Sequence, residues 1–209
     1  MNSIRKIVAA SALSLALAAG SYAALSSTAA QPAAETKSAP APAAAGAKTF
    51  KVDSAHSSVF FKIKHMNAAN FYGRFNKVEG SFDLAGNVLE ATVDAASVDT
   101  NSTGRDNHVK SPDFFSVKEF PTITFKGTSF TKKDDTNWEV KGDLSFHGKT
   151  KEVVLNVANT GQGPGRGGGT VAGIETTFTI KRSDFGMDFM LKGLSDDVTL
   201  TISLEGGAK

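Results

Sequence analysis

The chain has 209 residues, with 23 Lys and Arg against 21 Asp and Glu, 15 Phe, one Trp and no Cys. Without cysteine there is no disulfide framework, thiolate nucleophile, iron–sulfur cluster or Cys-ligated zinc, so stability must come from a packed core. A composition that is 40% hydrophobic and 21% charged excludes a multi-pass membrane protein and a disordered polyelectrolyte.

Residues 1–23 read as a cleavable secretory signal peptide. Arg5 and Lys6 form a basic start, and Ile7 to Ala19 form an apolar stretch. That stretch falls short of the roughly 20 apolar residues a membrane helix needs. Ser21, Tyr22 and Ala23 then supply the small residues of a cleavage site. Export to the periplasm is therefore expected. The signal holds two basic and no acidic residues, which leaves 21 of each in the remainder. No basic surplus is left to attract nucleic acid, and none is expected as a partner. Residues 24–48 are dominated by Ala, Ser, Pro and Thr, without an aromatic, and read as a flexible linker.

Residues 49–209 change texture and read as one domain. The leading signal is alternation with period two, the mark of half-buried strands. Val59, Phe61, Ile63 and His65 share one side of the first run, and Leu89, Ala91, Val93 and Ala95 one side of another. Further strands are predicted around Arg74–Leu84, Ile123–Phe125, Trp138–Phe146, Val153–Val157, Ile174–Ile180 and Val198–Leu204. Short turn signals at 85–87, 132–137 and 147–149 imply antiparallel neighbours. Eight such strands hide their apolar face most completely in a closed barrel, whose interior just accommodates side chains or one slender ligand. A two-sheet sandwich is the competing arrangement. Between the third and fourth strands, Thr103 with Asp106 and Ser111 with Pro112 mark a short helix over 104–110 and a turn over 112–115. With Phe114, Phe115 and Phe120 beside it, this segment is expected to plug one end of the barrel.

Several segments resemble the YceI-like family of exported proteins: DSAHSSVFFKIKH (53–65), GRF (73–75), RDNH (105–108), DFF (113–115), FPTITF (120–125), GDLSFHG (142–148) and KRSDFG (181–186). The resemblance runs in order across residues 50–205. It implies an extended eight-stranded lipocalin-like barrel whose elongated apolar cavity holds a polyisoprenoid or another long-chain amphiphile, in a family not established as catalytic. The glycine-rich run GQGPGRGGG looks longer and looser than a typical loop of that family.

A hydrocarbon chain gains roughly 0.8 kcal/mol per buried methylene, so polar groups are needed only at the mouth. The expected apolar wall comprises Val59, Phe61, Ile63, Phe114, Phe115, Phe125, Leu144, Phe146, Phe178, Phe185 and Met187. The same residues would also fill a solid core; the family resemblance favours a hollow one. Arg74, Asp106 and His108 are the expected head-group contacts, because Arg and His suit a pyrophosphate or a quinone. Arg182 and Asp184 have the alternative role of pairing with each other or capping a turn. His56 and His147 have that of bonding loop backbone.

No Gly-x-Ser-x-Gly, His-Glu-x-x-His or phosphate-loop motif is present. Gly163, Gly165 and Gly168 fit Gly-x-Gly-x-x-Gly, but that run precedes a strand where a dinucleotide site needs a helix. His65, His108 and His147 lack metal-ligand spacing. No catalytic residue, metal or cofactor is expected beyond a bound isoprenoid lipid. Three classes remain: a non-catalytic carrier of an isoprenoid quinone, polyprenyl phosphate or fatty amphiphile; a cavity hydrolase or isomerase using a His/Asp pair; and a solid barrel serving as an interaction module. Transient membrane contact and a homodimer are compatible with the carrier.

Overall fold

The computed structural model describes residues 48–208. The signal peptide and almost the whole linker lie outside the described residues.

Eleven strands and one short helix follow in order: β1 (Phe50–Val52), β2 (Ser58–His65), β3 (Ala69–Phe75), β4 (Val78–Asp83), β5 (Val88–Asp94), β6 (Val98–Asp99), α1 (Thr103–Val109), β7 (Thr122–Lys132), β8 (Asn137–Phe146), β9 (Lys149–Pro164), β10 (Thr170–Lys181) and β11 (Leu194–Ala208). These occupy eight positions around a closed antiparallel barrel, because three positions are each split between two strands. β11 pairs with β2 over its first half and with β1 at its end, so β1 and β2 share one position. β3 continues as β4, and β5 as β6, in the same manner. The remaining neighbours pair in sequence order from β7 to β11, and β5 joins β7 to complete the ring. Eight positions with one helix between the third and fourth is the arrangement that the alternation predicts, and the sandwich is excluded by the closure.

Closure rests on a close approach. Lys51 pairs with Gly207 on one side and Ser81 on the other. A Cβ at Gly206 would come within 2.9 Å of the Phe82 ring and 3.0 Å of the Lys51 carbonyl oxygen. Only glycine lets β1 fit between its neighbours there.

The turns follow their chemistry. His147 and Gly148, both at positive φ, make the two-residue turn from β8 to β9, as favoured hairpin turns require. In the turn from β7 to β8, the Asp134 carboxylate accepts from the Thr136 and Asn137 amides and from the Asn137 side chain. Those bonds, led by the Thr136 amide, hold its pKa down at about 2. The glycine-rich run is tighter than its composition suggests. β9 extends to Pro164, which pairs with Thr170, and the Gly165 amide bonds the Gly169 carbonyl, so only five residues make the turn.

The interior is packed differently at its two ends. At one end Phe50, Phe82, Leu84, Val78 and Val140 are buried in a packed cluster, with a smaller pocket of about 230 Å³ beside Phe50, Phe82 and Leu84. Towards the other end, Phe61, Ile63, Phe125, Phe178 and Ile180 face inward yet stay partly accessible. Inward side chains that are not fully buried mean a hollow interior.

Every position of the ring has two hydrogen-bonded neighbours drawn from residues 50–208. Residues 48–209 are therefore expected to fold alone. Their thermal midpoint should lie within about 2 °C of that of a chain retaining residues 24–47, because residues 50–208 close the ring by themselves; circular dichroism melts of both chains check this.

Candidate functional site

The hollow end encloses a cavity of about 410 Å³, within the range of small-molecule sites. Alternation builds its wall: the inward sets of β2, β5, β7, β10 and β11 contribute Ile63, Ala91, Phe125, Phe178 and Leu200 among others. Two aromatics lie flat because they face glycines. A Cβ at Gly73 would overlap the edge of the Phe61 ring, and one at Gly142 that of the Phe125 ring. Without those side chains the rings fold back along the wall and leave the axis open.

Of the expected apolar wall, Val59, Phe61, Ile63, Phe114, Phe115, Phe125, Leu144, Phe146, Phe178 and Met187 line this cavity. Phe185 does not. It is 2% exposed and packs at a tilt against Phe146 at 5.4 Å, in a second cluster with Phe114 and Met187. Its position on the 3₁₀ turn that follows β10 takes it out of the strand alternation.

The mouth is marked by His65, Arg105, His108 and Met190, which line the cavity and are exposed. α1 lies across it, as the plug expectation has it. The helix starts one residue earlier than predicted, after Ser102, which makes no side-chain capping bond. Asp106 reaches back instead to Thr100, accepting from its amide at 2.7 Å and its hydroxyl at 2.6 Å. Thr100 in turn holds Arg105: Nε donates to Thr100 Oγ1 at 3.0 Å and Nη2 to its carbonyl at 2.6 Å. The guanidinium also sits 4.5 Å above the Phe71 ring. Two of its five N–H groups are thus used, and three remain for a guest.

Of the three expected head-group residues, only His108 is on the cavity wall. Its Nε2 lies 3.0 Å from Asp113, and its ring packs edge-on against Phe114. Arg74 is 54% exposed on the outer face, opposite Phe60 in register, and lies 3.6 Å from Asp99. Its strand alternation points it away from the interior. Asp106 positions Thr100 and so supports Arg105 from outside the wall. Sequence reasoning passed over Arg105 for this role. Spacing could have found it, since Arg105 and His108 are three apart on a helix and share a face.

Arg182 is 1% exposed and does not pair with Asp184. Its Nε, Nη1 and Nη2 donate to the carbonyls of Ser195, Met187, Phe189 and Leu194, fastening the 186–194 segment beside the mouth. Burial weakens its hold on the proton, against the opposing pull of Asp196 and Asp188. Asp184 instead lies 3.9 Å from Lys151.

The histidines separate. His65 and His108 line the cavity, whereas His147 lies behind it with Nδ1 3.2 Å from the Phe185 carbonyl, so the three do not converge on one point. His56 bonds a side chain, Asp53, at 2.8 Å, where loop backbone was expected. With Glu205 these form an exposed group on the outside, where β1 gives way to β2, with ligand atoms within 4.8 Å of one another. The Asp53 bond raises the His56 pKa above its ordinary 6.5, and the same bond lowers that of Asp53 below 3.8.

The chain matches the family model described as the YceI-like domain over residues 50–206. A UPF0312 protein of Vibrio cholerae is 37% identical over 172 residues, covering 79% of this chain and 90% of that protein. Among solved structures, BcnA of Burkholderia cenocepacia aligns with a TM-score of 0.66 at 26% identity, over 74% of this chain and 99% of BcnA. A polyisoprenoid binding domain from Saccharophagus degradans shares the fold at 15% identity, with a TM-score of 0.61 over 78% of this chain and 99% of that domain.

Two predictions arise from these contacts. Replacing Arg182 with Met leaves four carbonyls without a donor and should lower the unfolding free energy by about 3 kcal/mol, measured by urea denaturation. The Asp53–His56 pair stabilises fully between pH 3.8 and 6.5, where both groups are charged in the folded and the unfolded chain. Its contribution is lost as pH rises through the raised His56 value or falls through the lowered Asp53 value. An NMR titration should place His56 above 6.5 and return it to about that value in Asp53→Asn.

Proposed function

The chain belongs to the YceI-like family, and from that premise we propose that its barrel holds one long-chain, largely hydrocarbon amphiphile for transport, storage or sequestration. The observation that carries this reading is the 410 Å³ cavity, walled by Ile63, Ala91, Phe125, Phe178, Leu200 and their neighbours and polar mainly at one end. A methylene chain moved from water into such a wall gains roughly 0.8 kcal/mol per group. The interior asks for no specific bond along its length, so it selects for shape and apolarity.

The head group stays at the mouth. Arg105, with three free N–H groups, and His108 suit an anionic or carbonyl oxygen, so an isoprenoid quinone, a polyprenyl phosphate or a fatty acid fits. The Saccharophagus degradans domain, which shares the fold, is described as polyisoprenoid binding, and an isoprenoid chain is the guest proposed for this barrel. The sequence of residues 1–23 supports export, and the proposed site of action is the periplasm.

A non-catalytic role is part of the proposal. His108 and Asp113 are the His/carboxylate pair beside the cavity, and both are exposed at the rim, where the guest's head group is proposed to sit. A carrier releases its guest chemically unchanged; a hydrolase or isomerase does not.

Native mass spectrometry of residues 48–209 purified without detergent should show a bound mass that leaves on denaturation and is recovered intact by solvent extraction. Ala91 on β5 faces the cavity beside Phe125. Ala91→Trp should keep the fold, at a cost of about 1–3 kcal/mol, and lose the bound mass. A wild-type chain that takes up neither prenyl nor acyl lipid would refute the reading.

A further inference from the structure

We propose that the rim of the mouth docks on an anionic lipid bilayer, with Met66, Phe189, Met190 and Leu191 entering the interface and Lys64 and Lys192 meeting the head groups. This deepens the amphiphile-binding reading above and rests on it.

The rim is one apolar surface from two separate elements. Met66 is 58% exposed at the tip of the hairpin from β2 to β3; Phe189, Met190 and Leu191 are exposed on the segment before β11. The two are joined: the Met66 amide donates to the Gly193 carbonyl at 2.6 Å, and the side chains of Met66 and Met190 both lie over Gly193. Phe189 packs edge-on against Phe114 at 5.3 Å and against His108 at 5.9 Å. Large apolar side chains clustered at one exposed place mark an interaction surface.

Two observations choose the occupant. The first is continuity. Met190 lines the cavity and is also 45% exposed, so cavity wall and outer rim are one uninterrupted surface. A hydrocarbon chain reaching the cavity across that surface from a bilayer core never crosses water.

The second is charge and its placement. Lys64 lies two residues before Met66 and Lys192 directly after Leu191, with Lys62 further along β2 and Lys110 at the end of α1. Among the described residues none of these four forms an ion pair. Asp188 is the acidic neighbour on the 186–194 segment, while Asp113 is engaged by His108. Tyr72, 61% exposed, faces Lys62 across the outer side of the β2–β3 hairpin. Apolar tips flanked by lysines and a tyrosine are the chemistry of a bilayer interface, where amphipathic rings and long cationic side chains sit at head-group depth. A second copy of the chain fits less well: a two-fold contact through the rim would set the same unpaired lysines against each other.

The test is flotation of residues 48–209 with vesicles of phosphatidylcholine alone and of phosphatidylcholine with phosphatidylglycerol. Binding should rise with phosphatidylglycerol and fall with salt. Met66→Ser with Leu191→Ser, and separately Lys64→Glu with Lys192→Glu, should each lower it more than ~tenfold. None of these four residues lines the cavity, so uptake of oleic acid or a long-chain prenol from cyclodextrin should stay at the wild-type level in both variants. Loss of binding with uptake retained supports docking. No flotation, or flotation equal in wild type and variants, overturns it. A dimer in analytical ultracentrifugation that Met66→Ser with Leu191→Ser dissolves also overturns it, in favour of a second copy. Wild-type flotation without any uptake from cyclodextrin would instead leave docking standing and remove the amphiphile-binding function.

Discussion

Closure of the sheet is the constraint from which the rest follows. A three-residue strand, β1, completes the ring by bonding β4 on one side and the end of β11 on the other, and it fits only because Gly206 has no side chain there. Once the ring is closed every position has a neighbour on each side, and the segments paired on one side only, such as Thr177–Lys181 of β10, lie away from β1. Every inward residue must then share one interior, and at eight positions that interior is close to the limit of what side chains can fill.

Whether it is filled depends on where the large side chains point. At the end held by Phe50, Phe82 and Leu84, the rings of Phe50 and Phe82, register partners on neighbouring strands, stack at 5.6 Å within a tightly buried cluster. At the other end, Phe61 and Phe125 lie back over glycines, and the axis stays open. One composition thus yields two kinds of interior along a single barrel. The packed half bears the stability, and the open half is free to hold a guest.

The mouth has its own supports, and they are polar. Asp106 holds Thr100, and Thr100 holds Arg105, so the cation at the opening is fixed through two relays. Beside it, Arg182 fastens four carbonyls of the 186–195 backbone, which keeps Phe189 and Met190 in place at the rim. A buried guanidinium satisfied by carbonyls positions a segment that has little regular structure of its own.

The period-two alternation and the short turns between runs determined the eight positions, their antiparallel order and which side chains face inward, since a strand that reverses its alternation would expose its apolar face to water. Val59, Ile63, Phe178 and Leu200 could be placed in the interior on that ground. The same rule failed wherever the chain leaves a strand: Phe185, on a 3₁₀ turn, backs the wall instead of forming it, and β9 runs into a glycine-rich segment that looked like a loop. Arg74 illustrates a different failure, for its type suited a head group while its parity on β3 pointed it outward. The family resemblance favoured a hollow barrel, but only the tertiary structure decided which end is open. That choice depends on a ring on one strand meeting a glycine on the next, a coincidence of register between residues 12 and 17 positions apart that no local pattern records.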